Sequence, residues 1–421
     1  VAVPDPAETV ACVPPDPRAG RNAHWYLAGL AGSLVGNSAM SLVAGIWVKQ
    51  LTGSSARAGL VSACVYLPTL LAPVAGLLAD RFPRRAWLFT VNLISAATLL
   101  PLLAVRSAAT TWIVFVAMFA YGVEATLIDP AEDALLAELF SVELRRRMNG
   151  RRLAIQEAGR FLAPLLGAGL FVLAGGGAVA ALDAATFVLA AGVLTRLRMP
   201  AGLDAGPAPV ERTPGRAIAA GLRHVWRTPA IRPVAGAAAA VMALSGVGVA
   251  AQYSLVSGLG QRPAFLGVLS AILGAGSILA ALTAGRLIER VGERALAVIG
   301  LLDFAAGNLL RATGWLPAAL LGTLGLGFAL PYVFLAVLAV AQRATPTRLQ
   351  GRVSGALTLV LFGSQAPTQT LGALLVTRTG YAEIYTGSAG LGVALALALA
   401  LGNGRELGLG WPRPRGTRRR R

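Results

Sequence analysis

The sequence predicts an all-α polytopic membrane protein, with twelve transmembrane helices in two parallel six-helix halves. Three observations predict it: an apolar composition, basic residues gathered in alternate loops, and an internal repeat of half the chain length. Of the 421 residues, 56% are hydrophobic and 13% charged, and mean hydropathy is +0.67. Soluble domains carry roughly 25% charged residues. So few charges cannot cover a water-facing surface, which excludes an ordinary soluble enzyme. A spanning helix takes ~20 mostly apolar residues, so twelve would use about 240, which this chain can supply.

The apolar segments run over 25–48, 58–79, 86–105, 111–131, 153–174, 178–195, 233–256, 264–285, 295–312, 316–341, 353–376 and 381–402, each closed by Arg, Pro or Gly clusters. They are continuous and rich in Ala, Leu and Gly, as packed membrane helices are. The short alternating segments of a barrel are not what these runs look like. Residues 1–24 read as a cytoplasmic tail. It has acidic residues and prolines but neither the basic start nor the apolar run of a signal peptide. Residues 25–195 and 233–402 are the two bundles, 196–232 a cytoplasmic linker and 403–421 a basic cytoplasmic tail.

Charge sets the orientation. The chain carries 37 Lys and Arg against 19 Asp and Glu, a net +18. Such an excess would suit a nucleic-acid binder, but here the basic residues sit between apolar segments. With the N-terminus inside, 30 of the 37 fall on inner segments. Lys49, Arg57, Arg106, Arg262, Arg311 and Arg378 fall on outer loops, and Arg160 lies within a span. This is the positive-inside pattern, and it calls for an even number of spans with both termini cytoplasmic in a bacterial-type inner membrane.

The halves repeat each other. Gly59-Leu-Val-Ser-Ala63 matches Gly267-Val-Leu-Ser-Ala271, and Gly76-Leu-Leu-Ala-Asp80-Arg81 matches Gly285-Arg-Leu-Ile-Glu289-Arg290, at offsets of 208 and 209. Each half has an even number of spans, so both point the same way. Parallel repeats of this kind place a transporter's site at their interface near the bilayer midplane. In the linker, Ile218, Leu222, Val225 and Trp226 form one face of a helix, and Arg216, Arg223 and Arg227 another. Such a helix lies on an anionic leaflet or is a plain solvated linker.

Between the second and third spans runs Gly76-Leu-Leu-Ala-Asp80-Arg81-Phe-Pro-Arg84-Arg85. It resembles the signature loop of the major facilitator superfamily: glycine, three residues, Asp-Arg, one residue, Gly-Arg and a basic residue. Pro83 stands where that family usually has glycine. The resemblance assigns Gly76 to close helix approach, Asp80 to a helix-end cap or salt bridge, and Arg81, Arg84 and Arg85 to holding neighbouring helices. Plain positive-inside anchoring is the competing reading of the arginines. Leu51-Thr-Gly-Ser-Ser55, Pro130-Ala131, Gly221-Leu-Arg-His-Val-Trp-Arg227-Thr-Pro229, Thr345-Pro346 and Gly351-Arg-Val353 fit the branch of enterobactin-exporter-like and macrolide-efflux-like carriers. Gly159-Arg-Phe-Leu-Ala-Pro164-Leu-Leu-Gly167 is similar to the drug-antiporter signature, with Ala163 and Ala168 replacing two of its glycines. It implies an export-specific role for Gly159, Pro164 and Gly167, or else ordinary helix packing. The family's coupling arginine would fall a few residues before Gly122, where Met118 and Phe119 stand instead.

Ionisable groups inside a membrane are costly and functional by default. Glu124 is well inside the fourth span and is the first coupling candidate, with neutralisation by an arginine such as Arg160 as the structural alternative. Asp129, Asp183 and Asp303 are the other coupling candidates. Asp129 is expected to pair with Arg84, with Glu132 and Asp133 as competitors, while Asp183 and Asp303 are expected nearer the interfaces. Glu157 and Arg160, three apart, can satisfy each other. Asn37, Ser41, Gln252, Tyr253, Tyr332, Gln365 and Gln369 are the polar candidates for lining a cavity; each can equally be a helix-to-helix hydrogen bond.

With two cysteines and two histidines far apart, no disulfide framework or metal site is expected. No phosphate loop or nucleophile elbow appears, so neither an enzyme nor a cofactor is expected. The expectation is a secondary active exporter of a small, moderately apolar drug-like molecule or metabolite, working by proton antiport and alternating access. Its partners would be substrate, proton and lipid bilayer, with no nucleic acid, and it would act as a monomer. An ion-linked uptake carrier, and a transport-inactive membrane sensor or lipid-handling protein on the same scaffold, are the alternatives.

Overall fold

Almost every apolar segment becomes a helix that runs until a Gly or Pro cluster stops it. A computed structural model describes residues 17–71, 82–140, 142–197, 214–346 and 349–402, and among these there is no strand. In the first half the helices are α1 (Pro17–Thr52), α2 (Ser55–Tyr66), α3 (Arg84–Leu99), α4 (Trp112–Leu139) and α5 (Val142–Arg196). Helix α6 (Pro214–Arg227) links the halves. The second half holds α7 (Arg232–Gly258), α8 (Leu266–Val291), α9 (Glu293–Ala312), α10 (Leu316–Ala344), α11 (Gln350–Phe362), α12 (Gln365–Leu375) and α13 (Tyr381–Leu401).

Among the described residues, nine helices are long and apolar enough to cross a membrane. The difference from twelve has three local causes. Part of the second apolar segment lies outside the described residues. The fifth and sixth spans are two helices, grouped here as α5, that meet without a loop at Gly175, where φ is 78°, a conformation open to glycine at little cost. The eleventh span is split into α11 and α12 at Gly363 and Ser364. Trp112 opens α4 and Trp315 stands immediately before α10, the fourth span of each half, and both rings are exposed. That placement is what an interfacial aromatic belt requires.

Each half has its own core. Met40, Val43, Ile46, Leu99, Leu102 and Met118 are buried together in the first. Val234, Val241, Leu296, Leu301, Phe304 and Val333 are buried together in the second. Tyr253, Val256, Leu266 and Leu269 come from the second half yet belong to the first core, so they are the joint. Arg311, counted above with the outer loops, is instead buried: its guanidinium sits 4.4 Å from the Tyr385 ring centre and donates to the Tyr385 hydroxyl at 2.7 Å. Arg311 lies in the last turn of α9, which packs against α13.

Helix α6 lies along α11, with Gly221 against the Arg352 carbonyl and Val225 fully buried. Arg223 and Arg227 stay outside, as their spacing predicts. Trp226 departs from the predicted face, being 42% exposed. The glycine leaves room for backbone contact, and this rotates the buried stripe toward Gly221 and away from Trp226.

Candidate functional site

A cleft opens inside the first half, enclosing about 1040 Å³ of space with its mouth included. Two helices supply most of its polar lining. On α1, Tyr26, Ser33 and Asn37 fall on one stripe; on α4, Tyr121, Asp129 and Glu132 do the same, as 3.6 residues per turn requires. Arg152 and Gln156 come from α5 and Asn92 from α3, while Leu30, Leu34, Ile128, Phe187, Val193 and Leu194 make apolar walls.

At one end of the cleft, Tyr26 donates to Glu132. Arg152 Nη1 bonds Asp133 Oδ1 at 2.6 Å, and its Nη2 lies 3.9 Å from Glu132 Oε1. Arg152 is the one Lys or Arg among the described lining residues, facing Asp129 and Glu132. Behind another part of the wall is a second polar cluster. Asp183 has no exposed surface. Thr186 Oγ1 lies 3.3 Å from its Oδ1. With its amide nitrogen turned inward, Asn37 reaches Asp183 Oδ1 at 3.2 Å and the Tyr121 hydroxyl at 2.9 Å. Asp183 Oδ2 has no hydrogen-bond partner. Glu124 is also buried, but it faces α3, where Thr98 donates to Oε1 at 3.1 Å.

The two halves meet through small residues. Gly59 of α2 packs on Ala250 of α7, Gly45 of α1 on Tyr253, and Gly267 of α8 on Ala168 and Pro164 of α5. These contacts share the end of the molecule that carries the turns at 53–54, 175–177 and 259–262.

A family model described as Major Facilitator Superfamily matches residues 25–257. The chain belongs to the major facilitator superfamily. It is 28% identical over 324 residues to the uncharacterized MFS-type transporter YfiS of Bacillus subtilis (strain 168), covering 73% of this chain and 75% of that one. Among solved structures it resembles a peptide transporter POT in complex with sulfate, at TM-score 0.69 and 16% identity over 93% of this chain and 96% of that one. It also resembles a bacterial homologue of the human lysosomal transporter Spinster in an inward-facing, unoccupied conformation, at TM-score 0.66 and 15% identity over 91% and 96%. At these identities the structures show the shared transporter fold alone.

Of the superfamily's signature loop, Gly76, Asp80 and Arg81 lie outside the described residues. Arg84 and Arg85 open α3, and Arg85 Nη2 donates to the Thr195 carbonyl at 2.9 Å, tying α3 to the end of α5. Gly159 and Gly167 both face α1, against Leu34 and Ala39, and Pro164 sits in the joint with Gly267. The side chains of Glu157 and Arg160 are outside the described set. Asp303 is partly buried on α9.

Of the seven polar cavity candidates, Asn37 alone lines the cleft. Ser41 is exposed and Gln252 partly so, and Tyr253 is buried in the joint. Tyr332 pairs with Thr283 at 2.8 Å. Gln365 donates to the Met242 carbonyl at 3.2 Å, and Gln369 donates to Gln365 at 3.1 Å. Tyr26, Asn92, Tyr121, Arg152 and Gln156 were not singled out from sequence. The signal for Tyr26 and Tyr121 was available: each continues the helical stripe of a candidate already named, Asn37 in one case and Asp129 in the other.

Proposed function

We propose that this protein is a secondary active exporter of small, moderately apolar, cationic molecules, driven by proton antiport. The observation that carries the reading is the asymmetry of the joint. Among the described residues, the halves are held together by close small-residue contacts at one end, while the first half keeps an acid-lined, apolar-walled cleft. With the orientation given by the arginine distribution, the closed end is outer and both termini are cytoplasmic in a bacterial inner membrane. The arrangement is then the inward-open stage of an alternating-access cycle. Rocking of one six-helix half against the other would close the inner end and part the outer one. Apolar walls suit a hydrophobic body, and Asp129 with Glu132 against a single Arg152 suits a positive charge. The motif likeness to exporter-like carriers supports the outward direction. Glu124 and Asp183, buried in the first half, are the candidates from which the coupling carboxyl comes, and a monomer contains every part the cycle needs.

The test is transport by the purified full-length protein in proteoliposomes, with tetraphenylphosphonium and other lipophilic cations as probes. An imposed proton gradient should drive uphill movement of the probe from the cytoplasmic face, and collapse of the gradient should reduce it to counterflow. Probe movement indifferent to the gradient would exclude antiport. Absence of counterflow for lipophilic cations, amphipathic neutral drugs and metabolites alike would exclude a carrier.

A further inference from the structure

We infer that Asp183 is the proton-binding group of this carrier, with Oδ2 as the atom that takes and gives up the proton and with Asn37, Tyr121 and Thr186 as positioning residues. The inference rests on the antiport reading above and names the atom that performs it.

The hydrogen bonds around Asp183 are lopsided. Oδ1 lies within reach of the Asn37 amide at 3.2 Å and of the Thr186 hydroxyl at 3.3 Å. The Tyr121 hydroxyl accepts from the same Asn37 amide at 2.9 Å. Oδ2 is equally buried and has no partner. A neutral carboxylic acid has this form, with a carbonyl-like oxygen that accepts and a second oxygen that carries the hydrogen. Among the described side chains no lysine or arginine pairs with Asp183. The groups facing it are Asn37 from α1, Tyr121 and Glu124 from α4, and Thr186 from its own helix; no ionisable group of α3 is among them. An ionised carboxylate in such a place lacks a counter-ion and faces a second carboxyl, both of which are costly.

The group is nevertheless close to water. Asn37 and Tyr121, which touch Asp183, are themselves lining residues of the cleft, so a single layer of side chains separates the carboxyl from the cleft. When the cleft is hydrated, the Oδ2–H bond breaks, the proton passes to a water molecule, and the electron pair stays on the carboxylate. The Asn37 and Thr186 donors are already in place to hold that carboxylate, and Tyr121 holds Asn37. The cleft has then gained a negative charge, which favours entry of a cation, and reprotonation from the opposite side removes it. Gly36 precedes Asn37 on α1, and a Cβ there would run into Asp183 Oδ1 and Thr186 Oγ1. Helix α1 therefore rests directly on the carboxyl, so a change in its charge is felt by a helix that also forms part of the joint between halves.

The test is infrared titration of the full-length protein in liposomes, which needs no substrate. The wild type should show a carboxylic-acid C=O band that vanishes as pH is raised. Asp183→Asn should lose that band and Glu124→Gln should keep it. Thr186→Val, which removes one donor to Oδ1 and keeps the side-chain shape, should shift the band's frequency and its titration midpoint. This variant carries the test if Asp183→Asn does not fold. Survival of the band in Asp183→Asn, its absence from the wild type, or an unmoved band in Thr186→Val would overturn the assignment. A titrating Asp183 in a protein whose transport ignores the proton gradient would instead refute antiport and leave the proton site standing.

Discussion

A Cβ placed on Gly59 would lie 2.6 Å from the Cβ of Ala250 in the opposite half. At offset 208 along the chain, Gly267 makes the equivalent approach in the other direction, against Ala168. The internal repeat is thus written into the joint, where each half contributes a glycine and receives it on an alanine. Overpacking such a contact costs about 1–3 kcal/mol, roughly one to two powers of ten in an equilibrium constant. Gly59→Leu should therefore disfavour the state closed at this end. Its initial transport rate should fall about tenfold or more at matched protein level, and Gly59→Ala should fall less. A cysteine placed at Ser62 should react faster with thiol reagents in the leucine variant. Equal rates and equal reactivity would mean that the joint does not gate.

The arginine distribution predicts the sidedness directly. Reporter fusions at Gly206 and after Arg421 should read cytoplasmic, and a fusion at Gly176, beside the Gly175 reversal, should read external. An external reading at Gly206 would invert the closed and open ends and turn the inward-open arrangement into its opposite.

What could be read from sequence followed from where the determining forces are local. Spans, their order and the repeat depend on apolar run length and on glycine, so they are legible residue by residue. The break between the fifth and sixth spans is legible as well: it is read from Gly175-Gly176-Gly177, and the backbone leaves the helical conformation at Gly175. Asp183 lies in a short span near a loop, which suggested an interfacial place; its burial comes from α1 and α4 closing over it through Gly36, Asn37 and Tyr121. Sequence neighbours carry no trace of such long-range contacts. Glu124 falls within a helix long and apolar enough to cross a membrane, and it is buried there. Its partner Thr98 was not foreseen, since a threonine on another helix gives no periodic signal.

Arg85 holds the Thr195 carbonyl from the first turn of α3, next to the loop that resembles the superfamily signature. The loop is proposed to hold the inner ends of the helices in the arrangement required when that end closes. Asp80→Asn should lower transport severalfold while leaving membrane insertion and protein level intact. Arg85→Gln should do the same more weakly, because its neighbour Arg84 remains. An unchanged rate in Asp80→Asn at equal protein level would reduce the loop to a charge anchor.

Arg152 faces Glu132 and Asp133 across the cleft, with its side chain and that of Glu132 each 20% exposed. Two effects follow from removing its charge, and they have opposite signs. Stability should fall, because Glu132 keeps its Tyr26 bond but loses the nearby cation. One-sided removal from a fully buried pair costs about 3–5 kcal/mol and exposed pairs are worth about 0–1. This partly exposed site should lie between them, at about 1–2 kcal/mol, read as a lowered Tm of the detergent-solubilised protein. Affinity for a cationic substrate should rise instead, because Asp129 and Glu132 then act without compensation. Arg152→Gln should therefore lower the KM for tetraphenylphosphonium, with a larger shift at low ionic strength, where screening is weakest. Arg152→Lys keeps the charge and should leave KM near that of the wild type. A rise in KM in Arg152→Gln would mean that the arginine itself binds substrate, and would point to an anionic molecule in place of a cationic one.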